Sequence, residues 1–344
     1  MASRFKILLV EPESQSVLFL LANLLVFIYV FFFFVAWPYT LFYLIAHLAV
    51  FFVINRRLSG GRLYIPRKNL KKQTVVVTGA ATGIGRVTAL ELAKLQAHVI
   101  VGIRGQERAE RVAQELSKES HGNVIGYHLD LSDLSSVKAF AEKIDEVDIL
   151  INNAGVVKQN KELTKDGLES TFGTNHIGHF YLTQLLLPLL IQSNGRIVNV
   201  SSIMHIFASE NFDWSKTNTY NHHVAYGDSK LANILHVVEL QRRYGDRGIK
   251  AYSLHPGVII STNLGGEKTL LLSVLAASVG FFSRTIAQGA MTTLYCALSD
   301  EAQPGKYHSN CRVAQPSSIA YNWEKAQELW DFSEQILNEK AKYL

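Results

Sequence analysis

Residues 74–86 read Thr74-Val75-Val76-Val77-Thr78-Gly79-Ala80-Ala81-Thr82-Gly83-Ile84-Gly85-Arg86. A β-branched run comes first, then a glycine-rich turn, then a predicted helix over Ile84–Gln96. Glycines let a backbone turn sharply and approach a pyrophosphate closely. The helix start beyond them offers N–H donors and a positive dipole end. A plain glycine turn would share the composition, but this one lies after a strand and before a helix, as a dinucleotide site requires. The spacing is Gly-x-x-x-Gly-x-Gly.

The same alternation continues downstream. Strands are predicted at Gln73–Thr78, His98–Ile103, Asn123–Leu129, Val147–Ile151, Arg196–Val200 and Ile249–Leu254. Helices are predicted at Gln106–Glu119, Ser132–Ile144, Leu168–Gln192 and His222–Tyr244, with Ser132 or Asp133 near the cap of the second. Strands alternating with helices of this length form βαβ units and a parallel sheet covered on both faces. Residues 73–344 therefore read as one α/β domain, long enough for a large buried core.

Upstream the composition changes. From Val17 to Ile54 there is no Asp, Glu, Lys or Arg, and Phe31, Phe32, Phe33 and Phe34 stand in a row. As one helix the segment would measure about 57 Å, against a hydrocarbon core of roughly 30 Å. It is too long for a secretory signal core and lacks a small-residue cleavage site. Pro38 falls near its middle, where it breaks or kinks a helix. Two readings follow. One is a span of Val17–Trp37 with an interfacial piece, Tyr39–Ile54. The other is a re-entrant hairpin turning at Trp37–Pro38 with both ends in the cytosol. A buried core helix is the plainer alternative, but the aromatics and the lack of charge speak against it.

Residues 55–72 carry Arg56, Arg57, Arg62, Arg67, Lys68, Lys71 and Lys72 and no acid. Those seven exceed the net +5 of the whole chain, so the rest is slightly acidic. A nucleic-acid protein would carry its basic patch on the folded domain, so no nucleic-acid partner is expected. A basic run beside an apolar segment reads as a juxtamembrane linker facing anionic lipid, with the body on the cytosolic side. Residues 1–16 form a short tail. The two cysteines, Cys296 and Cys311, have no motif spacing, which fits a reducing compartment rather than a disulfide framework. No metal-ligand spacing is present among the histidines and none is expected to bind a metal.

The glycine turn resembles that of the short-chain dehydrogenase/reductase superfamily, and the resemblance extends over most of residues 73–340. Asn152-Asn153-Ala154-Gly155 follows the fourth strand. Asn175 lies in Thr174-Asn175-His176-Ile177-Gly178-His179-Phe180. Ser201-Ser202 ends the fifth strand, Tyr226-Gly227-Asp228-Ser229-Lys230 gives a Tyr-x-x-x-Lys pair, and His255-Pro256-Gly257 ends the sixth. The resemblance implies a single Rossmann-like, doubly wound parallel sheet with helices on both faces, and a nicotinamide cofactor. Its cofactor contacts would fall on Gly79, Thr82, Gly83, Ile84, Gly85, Arg86, Asp130, Leu131, Asn153, Ala154, Gly155, Tyr226, Lys230, Pro256 and Gly257.

The second strand bears on the choice of cofactor. An acidic residue roughly 20 positions after the glycines would hold the ribose hydroxyls of NAD. Arg104 stands there instead, and no acid occurs from Leu95 to Gln106. An arginine would meet a 2′-phosphate, which an acid would repel. NADP(H) is therefore expected, with Arg86 as a second positive charge. A solvated loop role for Arg104 and a helix-capping role for Asp130 are the plainer alternatives.

Tyr226 and Lys230 are i and i+4 and share one helix face. A free phenol titrates at about 10 and is a poor acid–base group at neutral pH. A nearby ammonium would lower that value. The resemblance implies that Tyr226 exchanges a proton with the reacting oxygen and that Lys230 holds the nicotinamide ribose. It also implies that Ser202 hydrogen-bonds the oxygen, and that Asn175 holds a water linking Lys230 to solvent. Ser201 is the alternative serine. Asn199-Val200-Ser201 matches a glycosylation acceptor but falls in a core strand.

The long gap between Ser202 and Tyr226, Thr164-Lys165-Asp166-Gly167 and Gly305-Lys306-Tyr307-His308-Ser309-Asn310-Cys311 are similar to the retinol dehydrogenase branch. That likeness implies a membrane-anchored, NADP-preferring enzyme of retinoids or other lipophilic carbonyls and alcohols, at the endoplasmic reticulum or a lipid droplet. A scaffold or nucleotide sensor that keeps the fold without turnover is the competing function. Phe207, Phe212 and Trp214 would line the substrate. The segment after Gly257 is one residue longer than usual, so either Ser261 or Thr262 would make the nicotinamide-side contact. Residues 265–284, apolar over Leu270–Phe282, would form a substrate lid that dips into lipid. Alternatively they pack on the domain or on the partner subunit of a homodimer.

Overall fold

The computed structural model describes residues 12–34, 40–209, 220–258 and 284–340. The body is built on eight strands: β1 Thr74–Thr78, β2 His98–Ile103, β3 Asn123–His128, β4 Ile149–Asn152, β5 Arg196–Val200, β6 Lys250–His255, β7 Tyr307–Ser309 and β8 Arg312–Val313. Their order is β3-β2-β1-β4-β5-β6-β7-β8, and every neighbouring pair is parallel except β7–β8. The six strands read from sequence are all present, within two residues at their ends. The short β7 and β8 were not anticipated.

A parallel sheet is covered on both faces, so its strands are apolar along their whole length rather than alternating. β1 obeys this, with all five residues buried. Val75 and Val77 face one core and Val76 the other, the period-two consequence of the pleat. Each such valine contributes roughly 1.5–3 kcal/mol by leaving water. The first core is closed by α3 Gly83–Lys94, α4 Gln106–Ser120 and α8 Ile286–Leu298. The second is closed by α5 Leu134–Ala141, α6 Gly178–Gln192, α7 His222–Tyr244 and α9 Trp323–Lys340. Trp330 of α9 is 1% exposed and meets Phe180 edge-on at 5.0 Å. Asp133 caps α5, accepting from the N–H groups of Ser135 and Ser136.

Two helices precede the body, α1 Pro12–Phe34 and α2 Thr40–Gly60. Phe19 in the first half of α1 stacks on Phe51 midway along α2 at 5.6 Å, which the five residues between the helices allow only if the two run antiparallel. Among the described residues, no helix is long and apolar enough to cross a membrane. The proposed turn at Trp37–Pro38 lies outside the described residues. Beyond α2 the chain runs along the body. The Arg62 N–H donates to Asn310 Oδ1, and Tyr64 meets Tyr295 edge-on at 5.5 Å. Lys68 pairs with Asp300 at 2.7 Å, and Leu70 is buried. Most of the basic stretch after Gly60 is thus laid on the domain.

The strand order reverses at β1, whose neighbours leave toward β2 on one side and β4 on the other. In open α/β sheets the crevice beyond the carboxyl ends at such a point is where ligands bind. The C-terminal ends of β1, β4 and β5 carry Gly79, Asn153 and Ser201-Ser202.

Candidate active site

The turn after β1 is shaped by contacts that only glycine permits. Gly79 has φ +70°, and a Cβ there would lie 2.8 Å from the Ala154 Cα. A Cβ on Gly85 would lie 2.5 Å from the Gly79 carbonyl oxygen and overlap Asn153 Nδ2. Gly83 opens α3, and the side chain of Thr82, its N-cap, makes no capping bond. The first-turn amides therefore face a narrow backbone cradle with a positive dipole end, which fits a pyrophosphate. Asn153 and Ala154 brace this cradle: both their N–H groups donate to Thr78 Oγ1, at 2.9 and 3.0 Å. Asp130 and Leu131 follow β3. The Asp130 Oδ1 accepts from Ser132 N and Oγ, an Asx turn rather than a helix cap.

The two arginines assigned to the cofactor diverge. Arg104 is exposed at the end of β2 and has no ion-pair partner among the described residues. The next residue, Gly105, donates its N–H to His128 Nδ1 at 2.8 Å, and Gln106 Oε1 accepts from the His128 N–H. Arg86 instead pairs with Glu119 at 3.0 Å and lies 3.9 Å from Glu115. Glu119 is at the far end of α4, roughly 20 Å from Gln106 at 1.5 Å per residue. In this structure the Arg86 guanidinium is thus turned toward the acids of α4.

The catalytic candidates converge at the ends of β5 and α7. Ser201 Oγ donates to the Lys230 carbonyl at 2.6 Å and is buried, which commits it to holding α7. Ser202 Oγ caps the 3-10 turn Ile203–Phe207 and is near enough to the Tyr226 phenol to favour its ionised form. Lys230 Nζ donates to the Val200 carbonyl at 3.0 Å and lies 5.5 Å from the Tyr226 ring centroid. A Cβ on Gly155 would lie 3.3 Å from that ammonium. Asn175 sits in a π-helical turn, Gly173–Ile177, ahead of α6; such turns recur at functional sites. Its side chain clasps Val156, accepting from the N–H at 2.8 Å and donating to the carbonyl at 2.9 Å.

The electrostatics differ from the sequence expectation in one respect. Lys230 does not lower the phenol. Burial pushes Tyr226 up to about 12, against the lowering hydrogen bond of Ser202. Burial also pushes Lys230 down to about 8. At this separation, and with its proton directed at Val200, the ammonium offsets little of the desolvation.

Two histidines not singled out from sequence hold the serine turn. The His205 Nδ1–H donates to the Ser202 carbonyl at 2.7 Å, and its Nε2 accepts from Ser317 N–H at 3.1 Å. His255 Nδ1 accepts from Ile203 N–H at 3.1 Å. Burial pushes His205 down to about 4. Burial and the Arg284 charge hold His255 well below its usual value. Both rings are neutral, with tautomers fixed by their partners.

Glycine cradle, Asn, Ser and Tyr-x-x-x-Lys thus meet in one crevice, and residues 73–270 match the short chain dehydrogenase family model. The chain belongs to the short-chain dehydrogenase family. It is 40% identical over 291 residues to retinol dehydrogenase 12 of Mus musculus, covering 82% of this chain and 92% of the relative. It is 41% identical over 294 residues to retinol dehydrogenase 11 of Homo sapiens, covering 83% and 91%. A solved protein from Mycobacterium Paratuberculosis, described as uncharacterized, aligns with TM-score 0.64 and 38% identity, over 79% of this chain and 95% of that one. The chain is an oxidoreductase of retinol-dehydrogenase-like sequence that uses a nicotinamide cofactor.

The substrate side of this short-chain dehydrogenase is described in part. Phe207 ends the 3-10 turn and is 47% exposed. Asp228, within the Tyr-x-x-x-Lys segment, accepts from Ser209 N at 2.8 Å and Oγ at 3.0 Å. Pro256 follows β6, and its carbonyl accepts from Arg284 Nη1 at 3.3 Å; Gly257 comes next. Phe212, Trp214, Ser261, Thr262 and residues 265–283 lie outside the described residues. Among the described residues no group of three His, Cys, Asp or Glu side chains is placed to hold a metal.

Proposed function

We propose that the protein is a membrane-associated, NADP(H)-dependent reductase of lipophilic carbonyls, with retinal first and steroid or lipid aldehydes next. The observation that carries the reading is the Ser202–Tyr226–Lys230 constellation beside the glycine cradle. When bound, the cofactor supplies a hydride to the carbonyl carbon. The Tyr226 phenol, protonated at neutral pH because burial raises it to about 12, gives its proton to the carbonyl oxygen. Ser202 orients that oxygen by a hydrogen bond. Lys230 holds the nicotinamide ribose, and a water on the Asn175 carbonyl returns the proton from solvent.

The preference for NADP(H) is supported by exposed Arg104 and the absence of an acid at the end of β2. Membrane association is supported by the antiparallel α1–α2 pair, whose side chains Leu25, Val53 and Ile45 are 69%, 62% and 59% exposed. A surface that apolar needs a lipid or protein cover. A hairpin with both ends on one side suits a single leaflet or a droplet monolayer, with the body in the cytosol. The retinoid preference rests on the names of the relatives. Turnover of full-length protein with NADPH and NADH over a panel of retinals, steroids and fatty aldehydes tests the reading. NADPH-dependent reduction of retinal is expected, and no turnover on any member of the panel would overturn it.

A further inference from the structure

His179 lies one turn beyond Asn175, 1% exposed, on the face of α6 turned to β1. Its Nε2 is 2.8 Å from Thr78 Oγ1 and its Nδ1 is 3.0 Å from the Asn175 carbonyl oxygen. The direction of this chain of bonds follows from the donors. Thr78 Oγ1 accepts from two amides, Asn153 N–H and Ala154 N–H. With both lone pairs in use, its hydrogen must be given away. The candidate acceptors are His179 Nε2 at 2.8 Å and the Ile151 carbonyl at 3.4 Å, and the shorter contact is the better bond. His179 Nε2 is then an acceptor, its proton sits on Nδ1, and that N–H donates to the Asn175 carbonyl. A second proton on the ring would face a hydroxyl with no lone pair left. Burial pushes His179 down to about 4, against the Asn175 bond that raises it, and the Lys230 charge adds to the lowering.

The Asn175 side chain is committed elsewhere. Its amide donates to Val156 O and Ser229 Oγ, and its oxygen accepts from Val156 N–H. Its main-chain carbonyl is what remains for the reaction, and that carbonyl sits in a π turn whose ladder is irregular. We propose that His179 is a positioning residue that ties the floor of the cofactor cradle, through Thr78, to the direction of the Asn175 carbonyl on the proton path. The inference rests on the reductase reading. It makes the cradle and the proton path one hydrogen-bonded unit instead of two neighbouring features.

An Asn side chain places its amide nitrogen where His Nδ1 stands, and a Gln side chain reaches the Nε2 position. His179→Asn therefore keeps the donor to Asn175, and His179→Gln keeps only the partner of Thr78. Full-length protein is assayed for kcat, KM for NADPH, and the solvent isotope effect on kcat. His179→Gln should lose about tenfold in kcat, the worth of one hydrogen bond, with KM for NADPH within about twofold and a larger isotope effect. His179→Asn should stay within about threefold of wild type with an unchanged isotope effect. Equal losses in both variants, or none in either, would overturn the inference while leaving the reductase reading standing. A wild-type chain without turnover would overturn both. If His179→Gln does not fold, Thr78→Ala replaces it. That variant should lower kcat in the same sense, and an unchanged kcat would overturn the inference.

Discussion

The cradle between β1 and α3 is made of backbone, amides at a helix start and glycines packed against Ala154 and Asn153, with Arg104 exposed just after β2. Between β5 and α7 the site is made of side chains instead, half-buried Ser202 and Tyr226 beside buried Lys230 and His205, several of them shifted by desolvation. The first region works by shape and by a charge open to salt. The second works by desolvation, which salt does not reach. Substitutions in the two regions should therefore fail differently, one in cofactor choice and the other in chemistry.

The largest expected effect is in the second region. Tyr226→Phe removes the proton donor and little else, since Ser202 keeps its Met204 cap and Lys230 its bond to Val200. kcat should fall by about 10²–10⁴-fold, with KM for NADPH changed less than about threefold. Steady-state kinetics on full-length protein would show it. A variant retaining most of its rate would erase the contrast and revive a scaffold role for the fold.

The next effect belongs to the first region. Arg104→Asp should reduce the NADPH/NADH ratio of kcat/KM by at least about tenfold, because a charge-assisted bond to the 2′-phosphate is lost and repulsion added. Raising salt should narrow the wild-type ratio in the same direction. Arg86→Ala is the sharpening control. Its guanidinium is held by Glu119 on the far turn of α4, so the cofactor ratio should not move. The surface ion pair it breaks is worth about 0–1 kcal/mol. A shift in cofactor ratio with Arg86→Ala would place that residue back at the phosphate.

The contrast also explains what sequence could reveal. The cradle was legible because glycines at fixed spacing between a strand and a helix have few other uses. Tyr226, Lys230, Ser202 and Asn175 were legible as residue types in order. Their environments were not. Nothing in the letters says that Lys230 points at Val200, that Arg86 turns to Glu119, or that His179, His205 and His255 are neutral braces. Those facts depend on partners far away in sequence. The same holds for the late elements. β7 has three residues, too few for a pattern, and α8 is apolar nearly all round because it is buried between sheet and α3. α9 did leave a signal, Ala326, Leu329, Trp330 and Ser333 at helical spacing, all buried.

The smallest effect probes the second region where it is least dry. Asp228 is partly buried beneath Ser209, and burial pushes its carboxyl up to about 6, against the Ser209 bonds that lower it. Because the folded value lies above the unfolded one, its contribution to stability is complete below about pH 4 and is lost as the pH rises through 6. Asp228→Asn carries no charge at any pH, so it should match wild type at low pH and become the more stable form above 6. Two pKa units set a ceiling of about 3 kcal/mol. Remaining solvent contact and the Ser209 bonds to the carboxylate bring the expected gain to about 1 kcal/mol, or about 2 °C in Tm at this chain length. Thermal melts of both proteins at pH 5 and pH 8 measure it. The difference should open between those two values while kcat stays within about twofold, since the carboxyl points at Ser209 and not at the phenol. A gap that is the same at both pH values would mean that Asp228 is ionised throughout, and that desolvation governs Tyr226 and Lys230 but stops short of their own helix's other acid.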